Sequence, residues 1–135
     1  MAQIILTDVS ITINAVDLSS RANSCTLNYE KDSVEITTFG SVGHLFTGGL
    51  ESNSLDIEMF QDFAVSQVEA TIYPLVGTPT TVLLTPTTEA VSATNPSYTL
   101  TNTMLVAHTP INGAVGEAGM TSLSFSGGVL TKATS

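Results

Sequence analysis

The sequence predicts a mainly β chain: an antiparallel β-sandwich or barrel-like subunit with one amphipathic α-helix over about residues 62–75. Three observations carry this expectation. Apolar and polar residues alternate in short runs along most of the chain, the period of a strand buried on one face. Stretches rich in Gly, Pro and Asn separate those runs and read as turns and loops. One segment alone, beginning at Asp62, shifts to a near-helical spacing of apolar residues.

Taken in order, "DVSITINAV" alternates through Val9, Ile11 and Ile13. "SCTLNYE" follows with Cys25, Leu27 and Tyr29 on one face and Thr26, Asn28 and Glu30 on the other. "SVEITTF" places Val34 and Ile36 opposite Glu35 and Thr37. The polar "EKDS" between these two runs predicts a β-hairpin over residues 24–38. The Gly-rich stretch that follows, residues 40–50, is too long for a tight turn. "SLDIEMF" is the clearest strand, with Leu55, Ile57 and Met59 alternating with Asp56 and Glu58. Asp62 is a natural N-cap, and Phe63, Val68, Ile72 and Leu75 then recur at helical spacing until Pro74 and Gly77 stop the run. Phe63, Val68 and Ile72 are the expected core side of that helix. "TVLLT", "TLTNTMLVAH", "MTSLSFSG" and "GVLTKATS" read as further strands, divided by loops at "TPTTEAVSATNPS" and at residues 109–119.

Composition narrows the function classes. A chain of 135 residues fits one domain, expected here over 1–135. Only 11% of residues are charged, against about 25% in ordinary soluble domains. Those few are acidic, 12 Asp and Glu against 3 Lys and Arg, for a formal net charge of −9. Three cations cannot neutralise a run of phosphates, so tight nucleic-acid binding is excluded. Mean hydropathy is +0.31, oily for a domain that meets only water. The start, "MAQIILTDVS", lacks the basic and apolar regions of a secretion signal. No run reaches the roughly 18 apolar residues of a membrane span.

The residues that carry chemistry elsewhere are scattered here. His44 and His108 have no partner at metal-ligand spacing. Cys25 is the single cysteine and sits on the inward parity of its strand, where it reads as a small buried hydrophobe. Asp56 and Glu58 share one strand face, but a carbohydrate cleft would need aromatic walls, and the chain has no Trp. Neither "TGGL" nor "GEAG" has the Lys of a phosphate loop. The sequence therefore predicts no enzyme, no cofactor and no metal.

Four pieces in order, "SCTLNYEKDSVEITTFG", "FTGGLESNSLDIEMFQDFAVSQVEATIYPLVGT", "SATNPSYT" and "PINGAVGEAGMTSLSFSG", resemble major tail tube proteins of long-tailed, non-contractile bacteriophages, especially those infecting actinobacteria. The resemblance runs from about Asp8 to Lys132. Its most characteristic part is "GGL", "SLDI" and "FQDF" followed by a helix. It implies a structural virion protein of the phage tail, assembled in the host cytoplasm, with no catalytic site. Its copies would form stacked, usually hexameric rings around a channel that conducts DNA without tight binding. The implied partners are further copies and other tail proteins such as the terminator, tape measure and distal tail. No membrane is involved.

Two expectations about sites follow. A channel for a polyanion works best lined with carboxylates and hydroxyls, since DNA carries a charge about every 1.7 Å of its axis. Thr26, Asn28, Glu30, Glu35, Thr37, Asp56 and Glu58 are the lumen-facing candidates, although the same parity would serve an outer polar surface equally well. The loop 40–50 is the ring-stacking candidate, with Gly40, Gly43, Gly48 and Gly49 giving bend and His44, Leu45 and Phe46 giving anchors. The loop 109–119 is a second such segment. Competing readings are a capsid decoration or stabilising protein and an Ig-like binding module.

Overall fold

Ten strands and one short helix occupy the residues that this computed structural model describes, 9–65 and 67–134. The reading of the first residues as free of a secretion signal lies outside them. The chain begins with β1 (Ser10–Ile13) and β2 (Val16–Asp17), a tight hairpin whose turn residues Asn14 and Ala15 both take positive φ. Then come β3 (Ala22–Asn28), β4 (Lys31–Glu35), β5 (Phe46–Glu51) and β6 (Ser54–Phe60). α1 (Val68–Ile72) runs into one 3-10 turn, Tyr73–Leu75. β7 (Pro79–Thr85), β8 (Ser97–His108), β9 (Met120–Ser126) and β10 (Val129–Ala133) complete the order.

The named strands pair antiparallel throughout. The main sheet runs β2-β1-β7-β8-β9-β6-β3, with β10 also on β8, while β4 and β5 make a separate pair. Among the described residues β3 is thus a free edge. The sheet curls on itself: Cys25 and Leu27 of β3 line one groove together with Leu84 of β7, Tyr98 of β8 and Leu130 of β10. Inside the curl lies a core of Ile11, Ile13, Leu55, Ile57, Met59, Val82, Leu100, Leu105, Leu123 and Phe125, with Val68 and Ile72 of α1 packed into it. This is the mainly β architecture with one helix that the alternation predicts.

Two long ribbons organise the sheet, and both break at one level. In the first, Asn28 lies opposite Ser54, residues 29–30 and 52–53 interrupt the strands, and Lys31 resumes opposite Glu51 in the same register. In the second, Met104 lies opposite Ser126, and Thr101 resumes opposite Val129. The second break is made by Gly127 and Gly128, at φ +81° and +91°. A Cβ on Gly128 would sit 2.7 Å from the Thr101 carbonyl oxygen, so glycine is required there. The two breaks are tied together. Buried Asn53 donates from Nδ2 to the Gly128 carbonyl at 3.1 Å, and the Gly127 N–H donates to the Asn53 carbonyl at 2.9 Å.

Beyond this level the ribbons part. β10 and the first half of β8 stay over the core. β4 and β5 leave it as a two-stranded arm, exposed along almost its whole length, with residues 36–45 at its tip.

Three expectations need correction. The hairpin is not 24–38: residues 22–35 pair with 46–60, because the two runs share one direction of travel; of "EKDS", Glu30 lies at the ribbon break and Lys31–Ser33 are strand, not turn. The helix is not 62–75 but five residues, Val68–Ile72. Its β-branched content resists helix, and Asp62 caps a local turn, accepting from the Ala64 N–H at 2.9 Å. Phe63 therefore lies outside the helix and is 66% exposed, not core. Finally, the loop 40–50 is a loop only to residue 45, since Phe46, Gly48 and Gly49 belong to β5.

Candidate assembly surfaces

The outer face of β3, β6 and β9 is built by parity. With Leu55, Ile57, Met59, Leu123 and Phe125 turned into the core, the alternate residues must face outward. Asp56 pairs with Thr26 on one side and Ser124 on the other; Glu58 pairs likewise with Ser24 and Ser122. Ser54 stands between Asn28 and Ser126. The Ser124 hydroxyl donates to Asp56 at 3.1 Å, and Asn28 donates to the Ser54 hydroxyl at 3.1 Å. The result is a band of hydroxyls and two carboxylates three strands wide, with no Lys or Arg on any of the three strands.

The structure splits the lumen-facing candidates. Thr26, Asn28, Asp56 and Glu58 share this band. Glu30 sits at the ribbon break, where its carbonyl accepts from the Ser52 N–H at 2.7 Å. Glu35 and Thr37 lie on the arm, where Thr37 donates to Glu35 at 2.9 Å and His44 Nδ1 meets the same carboxylate at 2.6 Å. The serines of β9 complete the band and are absent from the sequence reading. Their signal, alternation in "MTSLSFS", is visible, but nothing in the sequence says that β9 lies beside β6.

The arm is amphipathic. Val34 lies opposite Thr47 and Glu35 opposite Phe46, and the Ile36 N–H donates to the Leu45 carbonyl at 2.8 Å. One face therefore carries Val34, Ile36 and Leu45; the other carries Glu35, Thr37, His44 and Phe46. All these side chains are exposed, as are Phe39 and Val42 at the tip. An isolated two-stranded ribbon is marginal in water, so an arm with an uncovered apolar face calls for a partner surface. Of the stacking candidates, His44 and Leu45 sit in the tip and Phe46, Gly48 and Gly49 in the strand beneath it.

Two hollows accompany these surfaces, the first largely apolar and the second mixed. At the arm's end of the fold, a groove of about 450 Å³ is walled by Leu27, Tyr29, Leu84, Pro86, Tyr98 and Leu130. Cys25 also lines it, and burial pushes the thiol pKa up. Tyr29, expected inward, is 57% exposed at its rim. Beside β8, a cleft of about 690 Å³ is lined by Tyr73, Pro74, Val76, Val106, Ala107, His108 and Pro110.

Beneath that cleft is the one arrangement that resembles catalytic machinery. Thr121 Oγ1 is 2.8 Å from His108 Nδ1, and His108 Nε2 is 2.9 Å from Glu69 Oε2. A nucleophile must meet its substrate, yet Thr121 is 0% exposed. The same Glu69 oxygen accepts from Gln61 at 3.1 Å, and Gln61 donates to the Pro110 carbonyl at 2.8 Å. The chain of contacts fastens α1 and the root of the loop 109–119 to the sheet. Among the described residues no group of three His, Cys, Asp or Glu could hold a metal ion, and no helix is long and apolar enough to cross a membrane.

Neither a family model nor a curated protein matches this sequence. Solved structures match the fold over nearly its full length. The chain aligns with one in the extended sheath–tube complex of PVC, an extracellular contractile injection system, at TM-score 0.72 and 9% identity, covering 98% of this chain and 93% of that one. Against a chain in the virion of a native gene transfer agent the values are 0.71 and 12%, with coverage of 93% and 95%. Against the SPP1 tail tube they are 0.74 and 10%, with coverage of 98% and 80%. At such identities the likeness is one of fold, and function has to be argued from the surfaces.

Proposed function

We propose that this chain is a structural subunit of a phage-like tail tube, one that assembles with copies of itself into stacked rings around a DNA channel. The observation that carries the reading is the outer band of β3, β6 and β9, which ends at the free edge of β3. A free edge is a template for a strand of a second copy, and pairing there would extend the band from subunit to subunit into a closed inner wall. The wall would present Asp56 and Glu58 among hydroxyls, with no cation from these strands. Passing phosphates would be repelled within about 8 Å at physiological salt and would find no Lys or Arg to hold them. The fold's likeness to chains of a tail tube, an injection-system tube complex and a gene transfer agent supports the same reading.

The remaining assignments follow from it. Thr26, Asn28, Asp56 and Glu58 face the lumen, while Glu30, Glu35 and Thr37 travel with the arm. The arm, with Leu45 and Phe46 near its tip, reaches the adjacent ring. The protein acts by shape and charge, not by catalysis; its place is the virion tail, and terminator, tape measure and distal tail proteins are its further partners. The test is a double charge swap. Asp56→Lys with Glu58→Lys is expected to leave tubes visible by negative-stain microscopy but to cut DNA delivery by particles that carry it. Unchanged delivery from normally assembled tubes would remove these residues from the channel.

A further inference from the structure

We infer that the arm of one copy seats its tip in the cleft lined by Tyr73, Val76, Val106, His108 and Pro110 on a second copy, so that stacking is a head-to-tail contact between two unlike surfaces, both free of Asp, Glu, Lys and Arg. The inference rests on the tube reading above and names the surface that receives the arm.

Strand register shows that the arm runs away from the cleft. The arm leaves β3 and β6 at Asn28 and Ser54. β6 runs from there to Phe60, which pairs with Met120 at the start of β9. The root of the loop 109–119 sits at that far end, where the Gln61 N–H donates to the Gly119 carbonyl at 2.9 Å. The cleft lies between: Val76 bridges Leu105, which pairs with Phe125 opposite Leu55. The arm runs on from Ser54 in the other direction, which carries its tip away from the cleft of its own chain. A second copy can fill it.

Charge selects the same pairing. Two copies of a chain with net charge −9 meet at low cost only where carboxylates are absent or already paired. The tip, residues 36–45, contains no Asp, Glu, Lys or Arg. The residues lining the cleft contain none either. Two acids on the neighbouring elements are committed: Glu69 to His108 and Gln61, and Asp62 to Arg21 at 2.7 Å; Glu117 lines the adjoining hollow, which shares Pro110. Phe39 and Val42 at the tip and Tyr73 and Val76 at the cleft are all exposed apolar groups. A head-to-tail contact covers both sets at once, and such contacts propagate as long as copies are supplied.

Cross-linking tests the seat directly. In a Cys25→Ser background, Phe39→Cys with Tyr73→Cys should give a ladder of covalent multimers on mild oxidation of assembled protein, while each single cysteine variant stays monomeric on the gel. Tubes on the micrograph without a ladder would overturn the cleft as receiver and leave the tube reading intact. A cross-link within one chain would overturn it as well. If the unsubstituted chain forms no rings or tubes, both readings fall together. Should the cysteine pair itself prevent assembly, Val106→Asp supplies the second measure. It should raise the concentration needed for tubes by about tenfold or more with the thermal melt unchanged, and tubes forming at the unsubstituted concentration would refute the seat.

Discussion

The basal and distal halves of one ribbon have the same alternating pattern and opposite fates. In β6, Leu55, Ile57 and Met59 are all buried. In β4 and its continuation, Val34 and Ile36 alternate just as regularly and stand in water. Register passes unbroken from Asn28 opposite Ser54 to Lys31 opposite Glu51, so pairing does not distinguish the halves. What differs is the layer beneath: α1 and the inner faces of β1, β7 and β8 under one half, nothing from the described residues under the other. Alternation says that a strand has an apolar face. It does not say whether the cover for that face belongs to the same molecule.

The sharpest way to break this comparison is to delete apolar volume from each half in turn. Ile57→Ala removes a core side chain and should cost about 2–5 kcal/mol, read as a large drop in the urea midpoint of the isolated chain. The matching change in the arm, Ile36→Ala, should shift that midpoint by no more than about 0.5 kcal/mol yet reduce tube formation on micrographs. Equal effects on the midpoint would mean that the arm folds onto its own domain in solution. A further small effect, confined to one surface turn, lies outside the ribbon and serves as a baseline. Ser19 donates to Asp17 from both its hydroxyl and its backbone N–H, which hold the Asp17 pKa below the ordinary 3.8. A lowered carboxylate pKa adds stability above the unfolded value, and that stability disappears as pH falls through the folded one. Asp17→Asn should therefore cost under about 1 kcal/mol near neutral pH, with the gap to the unsubstituted chain closing below about pH 3.8. A gap that persists in acid would assign the effect to packing.

Much of the architecture was legible because strand periodicity is local. The inward positions of β1, β6 and β9 could all be read from alternation, and so could the shared outward face of Asp56 and Glu58; β7 showed only as an apolar run without alternation. The pairing of β3 was not legible. β3 joins β6 across the arm, and its nearer neighbour in sequence, β4, pairs with β5; a short polar turn competed with a long return loop, and propensity alone favoured the turn. Phe63 misled for a related reason. Helical spacing was present, but Val65, Val68, Thr71 and Ile72 are poor helix formers, and the helix formed only where Val68 and Ile72 found the core. The cleft was invisible, because Tyr73, Val106 and Pro110 come together only through the return of β8 past α1.

The chain has three tyrosines and no tryptophan. Tyr29 and Tyr73 stand exposed, one beside the arm's root and one at the cleft, and Tyr98 lines the groove between sheet ends. Tyr98 is partly buried against the core. Two of the three tyrosines therefore report on the outer skin and one on the fold. The joining of copies should quench or shift the near-ultraviolet signal of Tyr29 and Tyr73, giving a dye-free optical gauge of polymer growth.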